Sequence, residues 1–159
     1  MRIIIDAMGG DNAPNAIVSG AVRAAQELNT EVVLVGRGAD ILKALEQQGI
    51  TNLPKGVEVA NAEDVVDMHD DPSTVVRKRR DSSMVVGLRM LSEGKGDAFI
   101  SAGSTGAVLT AATLIVKRIP GIRRAAMAPI LPTATGRCVL IDCGANAECT
   151  PEFLLQFAC

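Results

Sequence analysis

Apolar residues in this chain fall in short runs separated by stretches of helical periodicity. Ile3-Ile4-Ile5 between Arg2 and Asp6, Val32–Val35, Val57–Ala60 and Ala98–Ile100 have the length and aliphatic content of buried strands. After the first run, Ile17, Val18, Ala21, Val22, Ala25 and Leu28 recur at helical spacing, with Pro14 suited to the first turn. Gly36-Arg37-Gly38 turns the second run into a helix carrying Ile41, Leu42 and Leu45, with Gly49 as its C-terminal signal. Asp71-Pro72 reads as N-cap and first residue of one long helix ending near Glu93-Gly94. A helix over Thr105–Lys117, strands over Ala125–Leu131 and Cys138–Ile141, and a helix over Pro151–Ala158 complete the pattern. Repeats, low-complexity segments and long linkers are absent.

Strands alternating with helices imply βαβ units and a three-layer αβα fold with a largely parallel sheet. Residues 1–159 read as a single α/β domain. In such sheets ligands bind beyond the carboxyl ends of the strands. Three turns are expected there: Asp6–Asp11, Ser101–Gly106 and Asp142–Asn146. The last helix stops without a cap and with an apolar face, as in a fragment or a helix that docks on another subunit.

Composition narrows the function classes. Hydrophobic residues make up 48%, enough for a real core, but aromatics only 2%: Phe99, Phe153 and Phe157. Binding of single-stranded nucleic acid by base stacking needs more aromatic platforms than that. A net charge of −2 gives no general attraction to phosphate backbones, so no nucleic-acid partner is expected. Cys138, Cys143, Cys149 and Cys159 show no C-x-x-C spacing, and the single histidine, His69, lies far upstream. That argues against a structural zinc site and for free thiols in a reducing cytoplasm. Cys143, with no activating His or Lys pattern beside it, reads as a small buried residue. Neither the N-terminal run nor Ala107–Val116 is long enough for a signal peptide or a membrane span.

The candidate chemistry sits in the turns. In Ser101–Gly106, Ala102, Gly103 and Gly106 let an anion approach backbone N–H groups. Ser101, Ser104 and Thr105 add hydroxyls ahead of a helix N-terminus. The turn could equally be Gly-rich only to bend. No G-x-x-x-x-G-K-[ST] motif occurs, and Gly36-Arg37-Gly38 lacks the third Gly of the dinucleotide fingerprint. Asp6, Gly9, Gly10 and Asp11 form a second turn, in which Asp6 is expected to orient its neighbours while Asp11 stays open between structural and ligand roles. His69, before the presumed long helix, is a surface residue or an acid/base or phosphate donor. Lys78, Ser82 and Ser83 would share a face of that helix and could point into a site. Arg79 and Arg80 read as a solvated face. Lys117, Arg118, Arg123 and Arg124 form a basic cluster that could meet an acidic partner. Asp142 and Asn146 offer further substrate contacts.

Taken in order, DAMGGD, DDPSTVVRKRRDSSM, SAGSTGA and LIDCGAN followed by LLQFA resemble the PlsX family of phosphate acyltransferases along the whole chain. The resemblance implies a fold like that of phosphotransacetylases and isocitrate-dehydrogenase-like enzymes, of which this chain would be the N-terminal half. It implies synthesis of acyl-phosphate from acyl-acyl carrier protein and inorganic phosphate, with no cofactor. It further implies a homodimer in the cytoplasm, peripheral to the inner face of the membrane. This sequence departs from the family pattern at Asn12, where the family has His, at Ser104, where it has Asn, and at Ala125, where it has Pro. The resemblance implies in-line attack of phosphate on the thioester carbonyl, for which positioning and oxyanion stabilisation suffice. Ser101, Gly103, Ser104, Thr105 and Gly106 would cradle the phosphate, with Lys78, Ser82, Ser83, His69 and Asn146 as catalytic candidates. A phosphotransacetylase-like enzyme using acyl-CoA, or a non-catalytic binding module, are the alternatives.

Overall fold

The computed structural model describes residues 1–158, so Cys159 and its expected free thiol lie outside the described residues. The chain divides into two compact units, Met1–Val116 and Lys117–Cys159.

In the first unit, β1 (Arg2–Asp6), β2 (Glu31–Gly36), β3 (Val57–Asn61) and β4 (Ala98–Ile100) form a parallel sheet of order β3-β2-β1-β4. Its faces are set by the period of two along each strand. Val32 and Leu34 of β2 join a core with Val18, Val22 and Ala25 of α1 (Asn15–Leu28) and Ile41, Ala44 and Leu45 of α2 (Gly38–Glu46). Val33 and Val35 point the other way, with Ile4 and Ala62, and meet Val86, Met90 and Leu91. These last three lie on α4 (Ser83–Ser92), so helices cover both faces. A third core joins α4 to α5 (Thr105–Ile115) through Met84, Val85, Leu88, Ala107 and Ala111. Each fully buried aliphatic side chain here contributes about 1.5–3 kcal/mol relative to exposure.

Two stripe positions miss the core. Leu28 is 71% exposed at the last position of α1, and Leu42 is 49% exposed, its expected place taken by Ala44. Gly49 does serve the α2 exit: its φ is +75°, and the Ile50 N–H returns to the Leu45 carbonyl at 3.0 Å.

The expected long helix is broken. Asp71 forms an Asx turn, its carboxylate accepting the Ser73 N–H at 2.9 Å and the Ser73 hydroxyl at 2.8 Å. The short α3 (Val75–Lys78) follows, and only after Arg79–Ser82 does α4 begin. Here tertiary pairing overrides helical periodicity. The Asp64 N–H donates to the Asp81 carbonyl and the Ser83 N–H to the Asp64 carbonyl, both at 3.1 Å, and Asp64 forms a bridge with Ser82. Arg79, expected on a solvated face, is the clasp. Its Nε and Nη2 grip the Asp70 carboxylate at 3.0 and 3.1 Å, and its Nη1 reaches Asp64 at 3.2 Å. The Arg79 hydrogen bonds, then the Asp67 N–H, hold the Asp70 carboxyl below its ordinary range. A depressed carboxyl stabilises the fold above its ordinary pKa and loses that contribution as pH falls through the lowered native value. Accordingly, Arg79→Ala should speed hydrogen exchange at Asp64 and Ser83 at neutral pH, and the difference from wild type should vanish at strongly acidic pH. Unchanged exchange at neutral pH would show that the clasp does not hold the segment.

The second unit differs from the sequence expectation. Its strands are β5 (Ile130–Thr133) and β6 (Gly136–Val139), paired antiparallel as a hairpin, with all their residues exposed. The two residues between them cannot make a crossover, which takes a dozen or more. Thus the last two strands are not part of the parallel sheet. The unit ends in α6 (Pro151–Phe157), capped by Thr150, whose Oγ1 accepts the Phe153 N–H at 3.4 Å. Cys143, expected to be buried, is exposed.

Candidate functional site

The chain moves outward from β1 to β2 and β3, then returns to the far side of β1 as β4. The order therefore reverses between β1 and β4, the place where doubly wound sheets open a crevice at their carboxyl edge. The loops flanking this reversal are Asp6–Asp11 and Ser101–Gly106, two of the three turns singled out above.

They are tied together. Asp6 is 1% exposed. Its Oδ1 accepts the Met8 N–H at 3.2 Å and its Oδ2 accepts the Ser101 hydroxyl at 2.7 Å. Ser101 Oγ in turn accepts the Gly103 N–H at 3.1 Å. This chain of bonds uses the Ser101 hydroxyl and the Gly103 N–H internally, so both shape the turn rather than face an anion. Gly9 sits at the crossing, with no room for a side chain: a Cβ would lie 2.5 Å from Asp6 Oδ2 and 3.0 Å from the Gly103 nitrogen. Gly10, at φ +108°, lies against Ala102. Asp11 is exposed.

The backbone donors left outside this bond chain lie one step further on. Ser104 is the N-cap of α5 and is 8% exposed; its Oγ accepts the Ala107 N–H at 3.4 Å. The first helical bond runs from the Val108 N–H to the Ser104 carbonyl, leaving the Thr105 and Gly106 amides ahead of the ladder. Thr105 is exposed. Pro72 closes one side: a Cβ on Gly106 would be 3.1 Å from its Cγ. Met84, in the first turn of α4, flanks Gly103 from the other side.

Lys78, Ser82 and Ser83 do not share a helix face, because the helix breaks between them. Lys78 is exposed at the end of α3. Ser82 is the buried N-cap of α4, its hydroxyl donating to the Arg79 carbonyl at 2.8 Å and accepting the Val85 N–H at 3.4 Å. Ser83 is buried beside it. His69 is exposed, its N–H held by the Asp67 carboxylate at 2.8 Å.

Asp142 and Asn146 belong to the second unit and bind each other. The Asp142 carboxylate accepts the Met127, Ala145 and Asn146 N–H groups and the Asn146 side-chain amide, at 2.7–3.3 Å. Burial pushes this carboxyl up, but the Met127 and Asn146 donors, with Ala145, outweigh it and hold it below its usual range. Both residues organise their own turn.

Over residues 1–159 the chain matches the family model described as fatty acid synthesis protein. It belongs to that family. Similar curated proteins are the phosphate acyltransferases of Heliobacterium modesticaldum and Desulfitobacterium hafniense, each 46% identical over 158 residues. That of Herpetosiphon aurantiacus is 42% identical over the same span. The matches cover 99% of this chain but 47%, 46% and 42% of those proteins, so the chain spans about half the length of the curated relatives it matches. Among solved structures, a phosphotransacetylase from Streptococcus pyogenes superimposes with a TM-score of 0.74 at 22% identity, covering 99% of this chain and 51% of that one. The fold is therefore the phosphotransacetylase-like α/β fold expected from the motifs.

Sequence reasoning misses Pro72, which borders the site, and two residues that brace the fold around it. Asn61, at the end of β3, caps α2 by accepting the Gly38 N–H at 2.9 Å. Arg79 clasps the connector before α4, and Pro72 walls the α5 N-terminus. Only the DP dipeptide carried a signal, and it was read as a helix start. No helix among the described residues is long and apolar enough to cross a membrane.

Proposed function

We propose that the first turn of α5, at the β1/β4 reversal, binds inorganic phosphate and presents it to an acyl thioester, as the phosphate end of a phosphate acyltransferase. The observation that carries this reading is the pair of free first-turn amides, Thr105 and Gly106, beside the exposed Thr105 hydroxyl. They lie beside the glycine-rich turns at the reversal of strand order, where such folds bind ligands. A phosphate oxygen attacks the thioester carbonyl carbon, the carbon–sulfur bond breaks, and the thiolate leaves and takes up a proton. Phosphate is already anionic, so the protein's tasks are to position it and to favour the developing oxyanion. Ser101, Gly103, Asp6, Gly9 and Gly10 shape the turn, and Ser104 holds the helix start. Thr105 and Gly106 contact the anion. Lys78, Ser82, Ser83, His69 and Asp11 have a smaller part in this reading, as residues that border or stabilise the site, whereas Asp142 and Asn146 serve their own turn in the second unit.

The donor in this reading is acyl-acyl carrier protein, in a cytoplasmic homodimer peripheral to the membrane; family resemblance supports these points, and the names of the relatives support the reaction. Phosphorus NMR titration of the chain tests the cradle without requiring turnover. Thr105→Val, which removes the hydroxyl but not the helix, should weaken phosphate binding roughly tenfold to a hundredfold, equivalent to one charge-assisted hydrogen bond of about 1.5–3 kcal/mol. An unchanged affinity would remove Thr105 from the site. Trapping acyl-phosphate with hydroxylamine, using acyl-carrier protein or acyl-CoA as donor, distinguishes the two acyl-transfer readings.

A further inference from the structure

One cavity of the first unit is unlike its surroundings. Ser73, Val76, Arg77, Arg80, Arg89 and Leu114 line an open groove of about 380 Å³ on the outer side of α3, α4 and α5. All three arginines are exposed. Arg2, Arg23, Arg37, Arg79 and Arg123 each have a carboxylate partner. Among the described residues Arg77, Arg80 and Arg89 have no ion pair, as is also true of Arg118, Arg124 and Arg137 in the second unit; the Arg89 Nη2 only approaches the Arg80 carbonyl, at 3.5 Å. Three guanidiniums thus gather around a depression that no carboxylate lines, with the Glu93 carboxylate acting on Arg89 from outside it.

The floor is apolar. Val76 is half-buried and Leu114 is 57% exposed. A concave surface with charged forks at the rim and aliphatic groups below fits a protruding helix bearing carboxylates and one or two apolar residues. A lipid surface would instead require a convex apolar face able to insert. A small anion would need enclosed donors, whereas these are open to solvent.

The groove also adjoins the candidate site. Ser73 follows Pro72, which lies against Gly106 in the first turn of α5. Leu114 is nine residues beyond Thr105, about 14 Å along the helix at 1.5 Å per residue. A partner seated here would be too far away to present its thioester by direct contact, but a flexible prosthetic arm could reach the first turn of α5 by passing Pro72.

We propose that this groove docks the acidic helical surface of the protein that carries the acyl thioester, an inference that rests on the acyl-carrier reading above. The test is calorimetric titration of the chain with acyl-acyl carrier protein, with phosphate binding followed in parallel by phosphorus NMR. R77E/R80E/R89E should weaken carrier binding roughly tenfold or more, as reversal of three complementary charges at one interface does. R77Q/R80Q/R89Q should fall between, and added salt should weaken the wild type most. R23E, on α1, should bind the carrier as wild type does, and all variants should keep their circular dichroism and phosphate affinity. Equal carrier binding by wild type and R77E/R80E/R89E would overturn the groove and leave the carrier reading standing. A wild type that binds phosphate and accepts acyl-CoA but does not bind the carrier would overturn both. Arginine-dependent binding to phosphatidylglycerol vesicles without carrier binding would overturn the proposal in favour of a membrane surface, and displacement by inorganic phosphate alone would overturn it in favour of a small-anion site.

Discussion

Gly9→Val should abolish phosphate binding and destabilise the first unit. Even the Cβ would stand 2.5 Å from Asp6 Oδ2, 2.9 Å from Ser101 Oγ and 3.0 Å from the Gly103 nitrogen. All three atoms belong to the bond chain joining the β1 and β4 loops, and the Gly103 nitrogen is also backbone, so none can yield without opening the turn. Overpacking of this kind costs about 1–3 kcal/mol. The penalty is steric, since only Gly10 of this pair has a positive φ. Gly20 provides the contrast. It lies on the exposed side of α1 with nothing within 4 Å of a Cβ, so Gly20→Ala should stabilise by about 0.5–1 kcal/mol. Urea denaturation of the two variants checks the opposite signs, and phosphorus NMR checks the loss of binding. A Gly9→Val protein that binds phosphate as tightly as wild type would mean that the anion does not depend on the closed crevice.

Asp6→Ala is the second large effect. It removes a buried acceptor from the Met8 N–H and the Ser101 hydroxyl, and through Ser101 it frees the Gly103 turn. Each buried donor left without a partner costs about 1–3 kcal/mol. The same change separates the loops on either side of the strand-order reversal, so phosphate affinity should fall along with stability. Asp6→Asn keeps one oxygen in place and should lose less on both measures. If the two variants denature at the same urea concentration, the carboxylate charge, and not its two hydrogen bonds, holds the crevice.

The apolar runs placed β1 and β4 correctly, and β2 and β3 to within one or two residues. Helical spacing located α1, α2 and α5, because in these segments local periodicity and tertiary burial agree. Where they compete, local reading failed. The stretch from Asp71 to Gly94 has a helical pattern, but the Asp64 backbone captures the amide and carbonyl groups around Ser82, and Arg79 finds two acids that are distant in sequence. The hairpin at residues 130–139 was misread for a different reason. The apolar runs Ala125–Leu131 and Cys138–Ile141 suggest parallel strands, although the six residues between them are already too few for a crossover.

The site shows the same division. The residues proposed to hold an anion are visible as a glycine- and hydroxyl-rich stretch ahead of a helix, since backbone access and helix N-terminal polarity follow from residue type and order. Which of those groups face outward could not be read there. Ser101 and Gly103 turn inward because Asp6, 95 residues away from Ser101, lies across from them at the reversal of strand order. Strand order is a property of the assembled sheet, and no local pattern encodes it. Chain composition and motif order thus determine the family, the strands and the phosphate-compatible turn. Only long-range packing decides that Thr105 and Gly106, rather than Ser101 and Gly103, are free to meet a ligand, because a hydrogen-bonding group is available only after the folded neighbours have taken theirs.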